Sequence, residues 1–332
     1  MRNRQIGVVQ LIVFIIRGLE RLLPVRALYW TLKPFVFAQR AERLAVPGYF
    51  EQTRPSGKTP RVKPRAALNY VIGYLEDRLT AGKWQRCCQM SGLEGLQKAR
   101  DEGRPVVLAM VHFGPVFLLP CWLRSAGIRL ITLRNGKAES RIRLKRMKDR
   151  LSPFPEIPTV LYLDQLRELV GVLSAGNALL IAIDQPNGKL VDVPLDNGWT
   201  FRMATGAIRL ASRYGAELIP CSIIEEGNWR FRIEVGQPVP TEYLAGEPDM
   251  VRAGKHLLTQ MFPQIQPHLA QCRPVFFQCF HHEGTLENSR RRGGDGSSPL
   301  VLPPFCGDKL SPPQVSGSSP NATKVSPERL HL

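Results

Sequence analysis

Between residues 66 and 282 the chain alternates short apolar runs with amphipathic stretches. Strand-like runs fall at 105–111, 128–133, 178–183, 217–224 and 230–235, where apolar residues are continuous or repeat every second position. Helix-like stretches fall between them at 93–102, 116–126, 138–150, 163–174 and 203–213. Strand and helix in turn predict an α/β domain over 66–282, with a mostly parallel central sheet flanked by helices. Ligands of such sheets sit beyond the carboxyl ends of the strands. His112 follows the first of these runs and Asp184 closes the third, so both belong at that edge.

Outside this region the pattern changes. Residues Gln5 to Ile16 are a nearly unbroken apolar run, interrupted afterwards by Arg17, Glu20 and Arg21. The run falls short of the about 20 residues that span hydrocarbon, so it predicts a helix inserted partway or lying in the interface. Glu20-Arg21-Leu22-Leu23-Pro24 is unsuited to signal-peptide cleavage. Leu28, Tyr29, Trp30, Leu32, Phe35, Val36 and Phe37, with Arg and Lys among them, fit either a second interfacial segment or a helix packed on the core. Residues 1–50 are therefore read as a membrane-anchoring segment with an N-terminal membrane-associated helix, and 51–65 as a loop. Residues 283–332 are rich in Ser, Pro and Gly, show no periodic apolar face and predict a disordered tail.

Composition is ordinary for a globular protein at 43% hydrophobic and 22% charged, but a net charge of +17 is not. The excess is local. Residues 1–65 hold 13 Lys and Arg against 3 acids, residues 134–150 hold 8 against 2, and the remainder is close to neutral. Basic segments beside apolar ones suit an anionic membrane surface. A nucleic-acid partner is not expected, because no recognition module, stacking strand or zinc-finger spacing accompanies the charge. Seven cysteines form no paired framework and imply a reducing compartment. Cys272, Cys279, His281 and His282 lack the two close ligand pairs of a zinc module, so no metal site is expected.

His112 is the chemically informative residue. It follows Val106-Val107-Leu108-Ala109-Met110-Val111 and precedes Phe113-Gly114-Pro115. An imidazole delivered by a strand to a glycine turn is placed to face a cleft and take a proton from a hydroxyl. Phe113-Gly114 could offer backbone N–H groups to an oxyanion, since glycine allows close approach. Asp184, with Gln185, ends an apolar strand where packing alone does not explain a carboxylate; it could orient His112, bind an acceptor or cap the turn before Pro186. Arg134 and Asn135 end the strand after His112, and a guanidinium there could hold phosphate with two donors at once or be one exposed Arg among eight basic residues. Arg141, Lys145 and Lys148 recur at helical spacing beyond them, a face for headgroups or an acidic carrier.

Four blocks in order, Ser91-Gly92-Leu93-Glu94-Gly95-Leu96, the strand to His112, Ile183-Asp184-Gln185 and Thr205-Gly206-Ala207-Ile208-Arg209-Leu210-Ala211, resemble the lipid A late acyltransferases of the glycerolipid acyltransferase superfamily. The resemblance covers roughly residues 5 to 280. It implies an uncleaved N-terminal anchor at the cytoplasmic face of a bacterial inner membrane. It also implies a glycolipid or lysolipid hydroxyl as acceptor and an acyl carrier protein or coenzyme A thioester as donor, with no cofactor. His112 would be the general base, Asp184 in the matching block is a second candidate catalytic residue, and Arg134, Asn135 and Gly114 are candidates for substrate binding. Thr205, Gly206 and Arg209 match a later block and suit helix packing.

One departure matters. In that family the fifth residue after the His is Asp or Glu, which orients the imidazole; here it is Phe117. Loss of the equivalent carboxylate in a serine-hydrolase triad costs about ten-thousand-fold in turnover. The chain is therefore either an acyltransferase whose acid comes from Asp164 or Asp184, or a catalytically silent homologue that binds anionic lipid or acyl chains.

Overall fold

A computed structural model describes residues 46–52, 87–116, 118–134, 156–185, 188–227 and 230–282. Residues 1–45 of the anchoring segment read as 1–50, Phe117, Asn135, the basic helix expected at 138–150 and the tail from 283 lie outside the described residues. No described helix is long and apolar enough to cross a membrane.

The elements in chain order are α1 (Tyr49–Gln52), β1 (Cys88–Ser91), α2 (Leu93–Asp101), β2 (Val106–Met110), α3 (Leu119–Ser125), β3 (Leu130–Arg134) and β4 (Val160–Tyr162). They continue with α4 (Leu166–Ser174), β5 (Ala178–Ala182), β6 (Leu190–Pro194), β7 (Trp199–Ala204), α5 (Gly206–Tyr214), β8 (Glu217–Gly227) and β9 (Arg230–Val235). α6 (Met250–Ile265), α7 (Pro274–Phe277) and β10 (Phe280–His282) complete the series.

Seven strands form the main sheet in the order β1-β9-β8-β2-β5-β3-β4. Every neighbouring pair is parallel except the β8–β9 hairpin. β6, β7 and β10 form a separate antiparallel sheet in the order β10-β7-β6. The mixed α/β class with a mostly parallel central sheet thus agrees with the sequence pattern, whereas this second sheet was not anticipated.

Alternation along the central strands sorts their side chains onto two faces. Val107, Ala109, Leu179, Ile181 and Leu218 pack with α4, α5 and α6 in one apolar core. Val106, Leu108, Ala178, Leu180 and Ile219 pack with α2 and α3 in the other. Runs that are apolar at every position are what a strand covered on both faces requires.

Several helix boundaries move for local reasons. α3 starts at Leu119 rather than 116, with Pro120 in its first turn, where the missing N–H costs nothing. The stretch expected as helix from 203 is strand β7 through Ala204, because Phe201 and Met203 point into the core at period two, and α5 starts only at Gly206. α6 escaped the sequence reading. Asp249 caps it by accepting from the Arg252 N–H at 2.9 Å, and Ala253, Leu257, Leu258, Met261, Phe262 and Ile265 bury one face. Phe262 meets Phe50, Phe201, Phe276 and Phe280 at centroid separations of 5.6–6.2 Å, an aromatic cluster that ties α1, α6, α7 and the small sheet together.

The strand order creates the crevice. From β2 the chain passes through α3 to β3, on one side of β5; from β5 it returns through α5 to β8, on the far side of β2. These crossovers cover opposite faces, since α3 packs in one core and α5 in the other. The carboxyl ends of β2 and β5 therefore flank a topological switch point, where open α/β sheets bind ligands.

Candidate active site

His112 and Asp184 meet at that point because β2 and β5 are neighbours in register. Met110 pairs with Ala182, so positions two residues beyond each fall side by side. Asp184 Oδ1 lies 2.7 Å from His112 Nδ1, and Oδ2 accepts the His112 backbone N–H at 2.7 Å. Both carboxylate oxygens thus hold one residue. Asp184 is 0% exposed and His112 12%, so the pair is almost wholly within the protein and one edge of the imidazole reaches the surface. With the carboxylate at Nδ1, the proton sits on Nδ1 and Nε2 presents its lone pair outward. The Gln185 amide donates to that nitrogen at 3.2 Å.

The turn that carries His112 is strapped from outside the sheet. Gly114 N–H donates to Gln271 O at 3.0 Å, Arg273 N–H donates to His112 O at 2.9 Å, and Phe113 pairs with Cys272 in an antiparallel bridge. The buried Gln271 side chain fixes this strap to β8, accepting the Glu225 N–H at 3.0 Å and donating to Glu225 O at 2.8 Å. Gly114 has φ of 65°, and a Cβ there would stand 1.9 Å from Ile223 O. Glycine at this position serves close backbone approach.

The same contacts correct one expectation. The Phe113 and Gly114 N–H groups, read from sequence as oxyanion donors, are engaged by Val111 O at 2.7 Å and Gln271 O. Arg134 ends β3 level with Tyr162 of β4, on the same carboxyl edge of the sheet and separated from β2 by β5. Asp164 is exposed in the turn after β4, whereas the carboxylate at the His112 ring belongs to Asp184. Thr205 and Arg209 serve the start of α5: Thr205 Oγ1 donates to Lys189 O at 3.0 Å and accepts from Arg209 Nε at 3.1 Å. Gln271 was missed by sequence reading, and nothing local distinguishes it from any other glutamine.

Two buried thiols lie near the carboxylate. Cys279 Sγ donates to Asp184 O at 3.3 Å. Burial, with the Asp184 charge adding to it, pushes the Cys279 thiol up to about 12 and Cys272 well above its ordinary value. Neither is a nucleophile in this setting. Among the described residues no three His, Cys, Asp or Glu side chains are grouped to hold a metal ion.

The sequence matches the family described as bacterial lipid A biosynthesis acyltransferase over residues 75–268, which is more than half the chain and includes both His112 and Asp184. The chain belongs to that family. No curated protein matches it. Among solved structures it is similar to the 1-acyl-sn-glycerophosphate acyltransferase from Thermotoga maritima, at 12% identity and a TM-score of 0.38, over 80% of this chain and 98% of that one. For a lipid A biosynthesis acyltransferase family member the expected acid at position 117 is replaced by Phe, and the described carboxylate at the imidazole comes from the end of β5, 72 residues along the chain from His112.

Proposed function

We propose that this protein transfers a fatty acyl group from an acyl carrier protein or coenzyme A thioester to a hydroxyl of a glycolipid or lysolipid, with His112 as general base and Asp184 as its orienting acid. The observation that carries the reading is the carboxylate gripping both Nδ1 and the main chain of the same histidine at a switch point. A silent lipid-binding homologue has no use for an imidazole held in the tautomer of a base.

In the reaction the acceptor oxygen bonds to the thioester carbonyl carbon while its proton passes to His112 Nε2, and the carbonyl π pair moves onto oxygen. The imidazolium that results is stabilised by the Asp184 carboxylate at Nδ1. Collapse of the tetrahedral species breaks the C–S bond, and the imidazolium proton passes to the leaving thiolate. An ester and a free thiol result, with no covalent enzyme intermediate and no cofactor. A positioned base of this kind contributes about 10²–10⁴ to rate.

Arg134 and Asn135 are assigned to the acceptor's phosphate or polar headgroup, supported by the place of Arg134 at the reacting edge of the sheet. The basic, apolar N-terminal region is assigned to an anionic membrane surface, at the cytoplasmic face of a bacterial inner membrane, supported by the local concentration of charge in residues 1–65.

The test is acyl transfer by the full chain purified in detergent, offered both thioester classes and a total inner-membrane lipid extract, with a related active enzyme as control. Product from wild type, lost on His112→Ala, is expected. Absence of product from wild type, with lipid still bound and the control active, would refute catalysis and leave the silent homologue.

A further inference from the structure

The base nitrogen already has an occupant. Nδ1 faces the carboxylate and holds the proton, so the Gln185 group facing Nε2 at 3.2 Å is the amide N–H. The main chain that presents Gln185 is held on several sides: Ile183 N–H donates to Met110 O at 2.8 Å, Ala204 N–H donates to Ile183 O at 2.8 Å, and Cys279 Sγ donates to Asp184 O. A hydroxyl that surrenders its proton to Nε2 must come within about 2.6–3.2 Å of that nitrogen, in the space the carboxamide covers. The amide must turn aside, and a rotation about its own side-chain bonds leaves it next to the attacking oxygen. The oxyanion forms on the carbon to which that oxygen bonds.

The charge needs a donor. Those expected from Phe113 and Gly114 are committed to Val111 O and Gln271 O. We propose that Gln185 is a catalytic residue, capping Nε2 in the substrate-free protein and donating its amide N–H to the oxyanion once the acceptor hydroxyl has displaced it. This assignment rests on the acyl-transfer reading above. Loss of a single oxyanion donor costs about 10²–10³ in kcat.

The experiment compares wild type with Gln185→Leu, Gln185→Glu, Gln185→Asn and His112→Ala as full chains in the same transfer assay, with kcat, thioester KM and Tm measured for each. Gln185→Leu is expected to lower kcat about 10²–10³-fold while the thioester KM stays within about threefold of wild type. Gln185→Glu, which keeps the shape but replaces the donor with a carboxylate, should be at least as slow at an unchanged Tm. Gln185→Asn, which keeps the amide on a shorter arm, should recover about tenfold over Leu. A packing role would instead lower Tm and leave the Glu variant active. Wild-type kcat in Gln185→Glu or Gln185→Leu, beside an inactive His112→Ala, overturns the assignment and leaves the acyl-transfer reading standing. An inactive wild type beside an active control overturns both.

Discussion

Asp184→Asn is the sharpest perturbation of the site because it changes one atom and leaves the shape. In the native protein one carboxylate oxygen faces the His112 Nδ1–H and the other the His112 backbone N–H, each at 2.7 Å, with no exposure to solvent. Asparagine has one acceptor for these two donors. If its oxygen stays on Nδ1, the NH2 group opposes the backbone N–H, and two buried donors face each other at a cost of about 1–3 kcal/mol for each group left unpaired. If the oxygen turns to the backbone N–H, the NH2 group faces Nδ1, which can accept only after giving up its proton. The proton then resides on Nε2, and the lone pair that should receive the acceptor's proton is gone. The second arrangement satisfies every one of these groups once the Gln185 amide, 3.2 Å from Nε2, turns its oxygen to the new N–H, so it prevails. The corresponding change in a serine-hydrolase triad costs about ten-thousand-fold in turnover, or about 5.4 kcal/mol at about 1.36 kcal/mol per decade. We expect the same order here, read as single-turnover thiol release with product lipid followed by mass spectrometry, at a Tm within a few degrees of wild type. An Asn variant within tenfold of wild type would refute the tautomer argument.

Gln271→Leu leaves the Glu225 N–H and C=O without the side chain that now bonds both, and is expected to destabilise by about 2–4 kcal/mol in urea unfolding; an unchanged midpoint would mean that the strap holds by its main chain alone. Gly114→Ala places a Cβ 1.9 Å from Ile223 O at a left-handed φ, and should cost about 2–4 kcal/mol and lower activity with it, while wild-type Tm would contradict the close approach. Burial raises the Cys221, Cys272 and Cys279 thiols above the ordinary 9.0. The unfolded chain therefore loses these protons first, and stability, fully present below about pH 9, falls as pH rises beyond it. Urea midpoints between pH 8 and 10 test the sign, and a rising stability would contradict it. The same three thiols should resist iodoacetamide at pH 8 until the chain is unfolded, as peptide mapping would show.

The alternation of strand and helix was legible because the continuous apolar runs at Val106–Met110 and Ala178–Ala182 are short, rich in aliphatic residues and set off by Gly and Pro, as strands covered on both faces are. His112 and Asp184 were each legible as polar residues ending such runs. Their contact stood as one alternative, beside Asp164 as the acid and beside an acceptor-binding or turn-capping role for Asp184, and the sequence did not choose among them. The contact depends on β5 taking the place between β2 and β3, and strand order is set by long-range packing that no local pattern records. The antiparallel sheet of β6, β7 and β10 escaped for a related reason: β10 lies far along the chain from β7, and the three residues Phe280-His281-His282 carry no strand pattern of their own, although Phe280 joins the aromatic cluster. Gly114 was read correctly as a place of close approach but with the wrong visitor, since the approaching group is Ile223 O and the Gly114 N–H donates to Gln271 O.

The central claim is that His112 and Asp184 act as one unit in acyl transfer, and a double-mutant cycle tests it most directly. Single-turnover transfer would be measured for wild type, His112→Ala, Asp184→Ala and the double variant, all as full chains with the same thioester and lipid extract. Residues that act as a unit are strongly non-additive, so the double variant should be within about threefold of His112→Ala alone, well below an active wild type. Losses that multiply would contradict the dyad, as would an Asp184→Ala variant with wild-type turnover.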